Sequence, residues 1–121
     1  MIFGIGIDLI EIQRVIKACE KEAFLSRIYT KQEQELIRKD KRKAASNFAV
    51  KEAVVKAFGT GFYGIAPRQI EVLRDELGKP YVNLYDDAKQ FVKDHGIARL
   101  FVSVTNTKDL VNAYVIAELK G

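Results

Sequence analysis

The sequence predicts an α+β domain in which a small, largely antiparallel sheet packs against a long central helix. Apolar stretches of strand length flank the turn sequences DELGKP and NTKD, a pattern typical of antiparallel hairpins. The run from Ala45 to Phe58 is almost wholly apolar, which predicts a helix buried against that sheet. With 121 residues, the chain is long enough for one domain over residues 1–121 that buries roughly two thirds of its unfolded surface.

The first predicted element is a strand in the opening run MIFGIGIDLIEI. Period-2 pleating places Gly4, Gly6 and Asp8 on one face and the apolar residues Phe3, Ile5, Ile7 and Leu9 on the other. We expect the apolar face to be packed, and the glycine face to admit another backbone or a ligand close to Asp8. The alternative is that the glycines only allow a helix to pack tightly and that Asp8 begins a turn.

The remaining elements follow from helical periodicity and turn signals. Helices are predicted over Ile12 to Glu22, Lys31 to Lys39, Ala45 to Phe58 and Asp86 to His95. Thr30 and Glu33 form the sequence of a capping box at the start of the second helix. The predicted hairpins pair Ile70 to Arg74 with Tyr81 to Leu84, and Leu100 to Thr105 with Ala113 to Leu119.

The segment NFAVKEAVVKAFGTG places charged residues inside the apolar helix. Glu52 and Lys56 share one face with Phe48 and Val55, and Gly59 and Gly61 then give a turn whose backbone can approach a ligand closely. This pattern indicates a metal or phosphate site. The alternative is an ordinary i, i+4 ion pair followed by a glycine C-cap. A second carboxylate, that of Asp8, favours the site.

Several motifs resemble one enzyme family over nearly the whole chain. They are GIGIDLIEIQRV, FAVKEAVVKAFGTGF, LGKP and VSVTNTKDLVNAYVIAE, in that order. Together they resemble the holo-acyl-carrier-protein synthases, which are small 4′-phosphopantetheinyl transferases. The resemblance implies a cytoplasmic, Mg²⁺-dependent enzyme of fatty acid biosynthesis. It would move the phosphopantetheine arm of coenzyme A onto a serine of apo acyl-carrier protein, release 3′,5′-ADP and act as a homotrimer with sites at subunit boundaries.

The resemblance also implies roles for individual residues. Asp8 and Glu52 would hold Mg²⁺, which suits a cation that prefers hard oxygen ligands and one or two carboxylates. Lys56, one turn beyond Glu52, would neutralise phosphate charge, whereas Lys51 points about 100° away from Glu52 and is a weaker candidate. The residues implied to contact coenzyme A are Lys43, Phe48, Lys56, Gly59, Gly61, Pro80, Asn106 and Thr107.

The chain departs from the family pattern at two positions. Asn47 stands where a basic residue is common, so Lys41, Arg42 or Lys43 would have to supply the phosphate contact of that position. Asn106 stands where the family often has histidine, and an amide has no basic lone pair. The only histidine, His95, is predicted to be exposed beside Gly96 at a helix end. We therefore expect no histidine base, and the sequence leaves the general base unidentified.

Basic residues are concentrated in two places on a chain of net charge +4. Arg14, Lys17 and Lys21 form a stripe on the predicted first helix, with Arg27 nearby. The resemblance implies that this stripe binds the acidic carrier protein; the alternative is a solvated helix face. The second cluster, RKDKRK from Arg38 to Lys43, would hold the 3′-phosphate of coenzyme A or form an exposed loop.

Composition argues against other classes of protein. Cys19 is the only cysteine, so no internal disulfide forms, and its apolar neighbours predict a packed thiol in a reducing compartment. The N-terminus has no basic leader, and no apolar run reaches the ~18 residues of a membrane helix. Nucleic-acid binding does not account for Asp8 and Glu52, because their negative charges would repel phosphates unless a cation lay between them. A catalytically inactive coenzyme A-binding subunit is the third alternative.

Overall fold

The computed structural model describes all residues, Met1–Gly121, and has the predicted α+β architecture. The strands are β1 (Ile2–Glu11), β2 (Ile70–Arg74), β3 (Pro80–Leu84), β4 (Ile97–Asn106) and β5 (Leu110–Leu119). The helices are α1 (Ile12–Ala18), α2 (Glu22–Ile28), α3 (Lys31–Lys39), α4 (Arg42–Phe58) and α5 (Asp86–Asp94). A short 3₁₀ helix, Pro67–Gln69, precedes β2.

All strand pairs are antiparallel, as predicted, but they belong to two sheets. The larger sheet has the order β1-β5-β4, with Ile7 opposite Tyr114 and Phe101 opposite Ile116. The smaller sheet is the β2-β3 hairpin, in which Arg74 lies opposite Pro80. Both predicted hairpins are confirmed, although β4 and β5 each extend a few residues beyond their predicted ends.

Helix α4 is the centre of the fold, and it packs on one face of the larger sheet. Its side chains are buried over most of its length, including Val50, Val54 and Val55, which are completely inaccessible. A Cβ atom at Gly4 or Gly6 would overlap the carbonyl oxygen of Ala57 or Ala53. The glycine face of β1 therefore lies directly on the α4 backbone, as one of the two sequence interpretations proposed.

The expectation that the apolar face of β1 is packed was wrong. Ile5, Ile7 and Leu9 are 57%, 45% and 59% exposed, and only Phe3 packs, edge to face against Phe91. The reason is that α4 covers the glycine face, so the opposite face of the pleat points away from the core. Phe101, Tyr114 and Ile116 lie on neighbouring strands and are also exposed. We call these six exposed residues the outer sheet face; they are Ile5, Ile7, Leu9, Phe101, Tyr114 and Ile116.

The bounds of three helices differ from the prediction. The helix expected from Ile12 to Glu22 ends at Ala18, and a second helix that was not predicted, α2, begins at Glu22 after Lys21 adopts an extended conformation as its N-cap. Helix α4 begins at Arg42 and not at Ala45, because the Asp40 carboxylate accepts a hydrogen bond from the Arg42 N–H at 3.1 Å. Helix α3 has the predicted bounds and capping box, and α5 ends one residue earlier than predicted.

Candidate functional site

Asp8, Glu52 and Lys56 meet where β1 crosses α4, and we call this group the acidic centre. Asp8 follows Gly4 and Gly6 on the face of β1 that lies against the helix, so the close backbone approach brings its carboxylate to α4. The ammonium of Lys56 donates hydrogen bonds to Asp8 Oδ1 and to the carbonyl oxygen of Ile7, both at 3.1 Å. The structure thus joins two separate sequence motifs in one cluster.

The carboxylates of the acidic centre are incompletely neutralised. Asp8 Oδ2 is buried and has no hydrogen-bond partner, although Lys56 neutralises the other oxygen. Partial burial raises the pKa of the Glu52 carboxyl above its usual value, and the negative charge of Asp8 raises it further, while Lys56 opposes both effects. A buried acceptor without a donor is unfavourable, and a bound cation would relieve it.

The chemistry of these two side chains fits a hard divalent cation. The structure gathers no group of three or more His, Cys, Asp or Glu side chains. The acidic centre offers two carboxylates, those of Asp8 and Glu52, with hard oxygen donors. Mg²⁺ keeps several waters and is commonly held by one or two carboxylates together with substrate phosphates. The orphaned Asp8 Oδ2 and the raised pKa of Glu52 are the two observations that support this fit.

The glycine turn after α4 begins three residues beyond Lys56 of the acidic centre. Gly59 ends the helix with a φ of 81°, and Gly61 has a φ of 59°, so both adopt a left-handed conformation that favours glycine. A Cβ atom at either position would meet no heavy atom within 4 Å. These glycines are therefore required by backbone conformation and border open space, in contrast to Gly4 and Gly6.

A second cluster lies at the opposite end of α4, and we call it the basic pocket. It is a cavity of about 200 Å³ whose polar wall is formed by Asp40, Arg42, Lys43, Ser46 and Asn106. Lys43 Nζ lies 3.9 Å from Asp40 Oδ2, a loose ion pair, and the Lys43 side chain is partly exposed. Arg74, from the small sheet, donates a hydrogen bond to Ser46 Oγ at 2.9 Å. The predicted coenzyme A residues Lys43 and Asn106 thus share one cavity.

The predicted basic stripe lines a groove of about 570 Å³, which we call the basic groove. Arg14 and Lys17 come from α1, Lys21 precedes α2, and Arg27 lies on α2. Lys21 is therefore not on the first helix, but the turn between the helices keeps it beside the others. Phe24 lines the same groove, and its ring centroid lies 6.2 Å from that of Phe48, which is on the Glu52 face of α4. The groove therefore leads toward the acidic centre.

Other residues singled out in the sequence lie apart from these clusters. Pro80 begins β3, and Thr107 uses its hydroxyl oxygen to accept hydrogen bonds within the β4–β5 turn. Asn47 is fully buried and donates to Glu33 Oε2 at 3.0 Å and to the Val72 carbonyl at 2.9 Å, so it faces the core and not a nucleotide. Lys51 is also buried, in an ion pair with Glu33 at 2.8 Å.

The remaining titratable candidates have structural surroundings. His95 is exposed at the end of α5, its ring stacks on Phe91, and its Nδ1 lies 2.9 Å from the Phe91 carbonyl oxygen. Burial raises the pKa of the Cys19 thiol, with a smaller opposing effect from a hydrogen bond with Tyr29. A raised pKa lowers the thiolate fraction, which agrees with the expectation that Cys19 is a packed thiol and not a nucleophile.

Sequence reasoning missed two residues of these clusters. Phe24 lies three residues from both Lys21 and Arg27, so helical spacing was a signal that it shares their groove. Arg42 was considered only as one of several basic residues, whereas its guanidinium donates to the carbonyls of Thr107 and Lys108. No local signal predicts that contact, because the two segments are far apart in the chain.

Comparisons with known proteins bear on the family and the fold of this chain. Residues 4–117 match the model of the 4′-phosphopantetheinyl transferase superfamily. The holo-[acyl-carrier-protein] synthase of Lachnoclostridium phytofermentans is 68% identical over 119 residues, which cover 98% of each chain. The crystal structure of the Neisseria meningitidis synthase is 35% identical, with a TM-score of 0.89 and coverage of 98% and 99%. The Bacillus anthracis synthase in complex with coenzyme A (3′,5′-ADP) is 31% identical, with a TM-score of 0.81 and 99% coverage of both chains.

Proposed function

This chain belongs to the 4′-phosphopantetheinyl transferase superfamily, and on that premise we propose that Asp8, Glu52 and Lys56 form the active centre of a holo-[acyl-carrier-protein] synthase. Its reaction transfers 4′-phosphopantetheine from coenzyme A to a serine of apo acyl-carrier protein, for fatty acid synthesis. The serine oxygen forms a new bond to phosphorus while the bond to 3′,5′-ADP breaks, and the serine proton leaves.

The observation that carries the proposal is the unpartnered Asp8 Oδ2 beside the partly buried Glu52 carboxylate. The neighbouring carboxylates of Asp8 and Glu52 repel each other unless a positive charge lies between them. The Lys56 ammonium contacts only one of their oxygens, Asp8 Oδ1. Asp8 and Glu52 would hold Mg²⁺, and the ion would supply positive charge where the pyrophosphate of coenzyme A accumulates negative charge. What supports Mg²⁺ is that the oxygens of these two carboxylates are the hard ligands that the ion prefers.

Lys56 is the residue we assign to neutralising phosphate charge. Its side chain is 52% exposed, so it can contact a substrate while it holds Asp8. Stabilising charge that develops in the transition state is the largest expected contribution of a protein to phosphoryl transfer. The two carboxylates are the only bases in the acidic centre, since His95 lies on α5 against Phe91. The serine proton therefore passes to a carboxylate or to water.

Coenzyme A would extend from the acidic centre toward the basic pocket, because α4 connects the two. Lys43 supplies a cation for a nucleotide phosphate, and Asn106 supplies an amide that can donate or accept a hydrogen bond. The glycine turn at Gly59 and Gly61 leaves room for the substrate beside Lys56. The Bacillus anthracis relative is described in complex with coenzyme A, which supports a coenzyme A site in this fold.

The basic groove is our proposed docking surface for the acyl-carrier protein. Its four basic side chains, those of Arg14, Lys17, Lys21 and Arg27, would attract an acidic partner. Phe24 adds an apolar side chain to the lining of the groove. Because Phe24 packs near Phe48 on the Glu52 face of α4, a carrier bound here would present its serine close to the acidic centre.

We also propose that the enzyme is a homotrimer, in which the outer sheet face is the subunit interface. Six large apolar side chains on one sheet face form a contiguous patch of the kind that marks protein contacts. Light scattering should then give about three times the chain mass of 13.7 kDa. A fully active monomer would contradict this assignment. Pro80, which lies on the small sheet, would contribute to coenzyme A binding across such a boundary.

We place the reaction in the cytoplasm. The single cysteine, Cys19, suits a reducing compartment. None of the helices has the length and hydrophobicity needed to cross a membrane.

The experiment that tests the proposed function uses the purified chain, coenzyme A, Mg²⁺ and an apo acyl-carrier protein. Mass spectrometry should show that the carrier gains the mass of one phosphopantetheine and that 3′,5′-ADP is released. The matched control is a carrier in which the acceptor serine is replaced by alanine. An unmodified wild-type carrier after prolonged incubation would contradict the proposed function.

A further inference from the structure

The β4–β5 turn, residues 106–110, forms part of the basic pocket through Asn106. Within the turn, the Thr107 N–H donates to the Leu110 carbonyl at 2.8 Å, and Thr107 Oγ1 accepts from the Leu110 N–H at 3.1 Å. These bonds fix the shape of the turn. They do not fix its position relative to α4, which supplies Lys43 on the other wall of the pocket.

Arg42 connects the turn to α4. Its Nη2 donates to the Thr107 carbonyl at 2.8 Å, and its Nη1 donates to the Lys108 carbonyl at 3.1 Å. The planar guanidinium presents two parallel N–H groups, a geometry that suits two neighbouring carbonyl oxygens. Arg42 is itself fixed at the start of the helix, because its N–H donates to Asp40 Oδ1 at 3.1 Å. The backbone of Asn106 and Thr107 is thereby held beside Lys43.

We propose that Arg42 is a positioning residue for coenzyme A: it holds the Asn106–Thr107 turn against the first turn of α4, and Lys43 next to it, which is only loosely paired with Asp40, provides the cation that contacts a phosphate in the basic pocket. This inference rests on the proposed function. It differs from a direct phosphate contact, because the guanidinium is already engaged by two carbonyl oxygens. Arg42 then acts through the backbone that carries Asn106.

Two substitutions separate positioning from direct charge recognition. Arg42→Gln removes the charge and the forked donor, whereas Arg42→Lys keeps the charge but has no planar fork to bridge both carbonyls. If Arg42 positions the turn, the two variants should behave alike. If Arg42 binds a phosphate through its charge, lysine should restore most of the affinity. Lys93→Gln, an exposed change on α5, is the matched control.

The first measurement is steady-state kinetics with apo carrier protein. In both Arg42 variants the KM for coenzyme A should rise about tenfold, as expected for one or two weakened hydrogen bonds, with kcat changed less than twofold. The affinity for 3′,5′-ADP, measured by calorimetry, should fall by a similar factor. Wild-type affinity in Arg42→Lys would overturn the proposal.

The second measurement requires no activity: amide hydrogen exchange of residues 106–110 in the free protein. Both variants should exchange faster than the wild type in this turn and normally elsewhere, because the turn loses its connection to α4. Unchanged exchange in both variants would overturn the positioning role. A wild-type chain that does not modify the carrier would refute the proposed function, while the exchange result would still test the contact of Arg42 with the turn.

Discussion

Two of the lysines on helix α4, Lys51 and Lys56, each form an ion pair with a carboxylate from a distant element. The Lys51–Glu33 pair is completely buried, and the ammonium also donates to the carbonyls of Pro67 and Ile70. The Lys56–Asp8 pair is open: Lys56 is 52% exposed, and Asp8 Oδ2 has no partner. The first pair has all its partners within the fold, whereas the second has capacity left for a ligand.

We infer that the buried pair stabilises the fold, whereas the open pair serves the reaction. Glu33 accepts from the N–H groups of Thr30 and Val72 as well as from Asn47, so the buried pair joins α3, α4 and the small sheet. Burial raises the pKa of Glu33 and lowers that of Lys51, with each partner opposing the shift of the other. Such a pair tolerates the loss of neither partner. The Lys56–Asp8 pair has no comparable network of hydrogen bonds. Removing it should therefore lower the rate of the reaction more than the stability of the fold.

The largest expected effect comes from breaking the buried pair. Lys51→Met should lower the free energy of unfolding by about 3–5 kcal/mol, because it leaves the Glu33 charge buried without a cation. Lys56→Met should change stability less than Lys51→Met does, because the Lys56 side chain is 52% exposed and water can replace its ammonium, while turnover falls. Urea denaturation of both variants checks this. Equal losses of stability would show that the two pairs do not differ as described.

The second effect concerns turnover in the acidic centre. Asp8→Asn and Glu52→Gln should each reduce kcat by roughly 100- to 1,000-fold, the range observed when one group that stabilises transition-state charge is removed. Both proteins should remain folded by circular dichroism, since neither side chain belongs to the buried network. The carrier modification assay measures the rates. Rates near that of the wild type in either variant would refute the assignment of these carboxylates.

A smaller effect, on the KM for carrier protein, is expected at the basic groove, whose residues belong to neither ion pair. Arg14→Glu should raise the KM for carrier protein at least about tenfold and leave the KM for coenzyme A unchanged, because charge steers association with an acidic partner. Added salt should weaken the wild-type interaction. Lys93→Glu is the matched charge reversal outside the groove. A raised KM for coenzyme A in Arg14→Glu would instead assign this groove to the nucleotide.

The smallest effect is a pH dependence of stability that arises from Glu52. Its pKa is raised in the folded protein by burial and by Asp8, so folding favours the neutral form. The resulting stabilisation is present below the unfolded pKa of about 4.3 and is lost as pH rises through the folded pKa. Without added divalent cations, Glu52→Gln should therefore have a higher Tm than the wild type at neutral pH, and the difference should vanish in acid. If Glu52→Gln has a lower Tm than the wild type at neutral pH, the claim that burial and the Asp8 charge disfavour ionised Glu52 is wrong.

The parts of the fold that follow from local signals were predictable from the sequence. The capping box of Thr30 and Glu33 gave the start of α3, and the turn sequences gave both hairpins. The juxtaposition of Asp8 with Glu52 came from the resemblance of two motifs to one family and not from spacing, because the residues lie on separate elements. Glycines on the Asp8 face of β1 supplied an independent hint that another backbone approaches there.

The features that were missed depend on tertiary contacts. The sequence of β1 shows an apolar face and a glycine face, but it does not say which one contacts the helix; α4 takes the glycine face because only glycine permits so close an approach. The break near Lys21 has no glycine or proline to mark it. Lys51 could be ranked below Lys56 from its angle on the helix, but its buried partner Glu33 lies on another helix and could not be identified.

Direct binding of a divalent cation tests the central claim about the open pair. Mn²⁺, a paramagnetic substitute for Mg²⁺, is titrated into protein saturated with coenzyme A, and free Mn²⁺ is followed by electron paramagnetic resonance. The wild type should bind one ion per site, and Asp8→Asn and Glu52→Gln should each bind it at least about tenfold more weakly, because each removes one of two protein ligands. The control variant Asp86→Asn, which removes an exposed carboxylate on α5, should bind Mn²⁺ as tightly as the wild type does. Unchanged binding in both Asp8→Asn and Glu52→Gln would contradict the account.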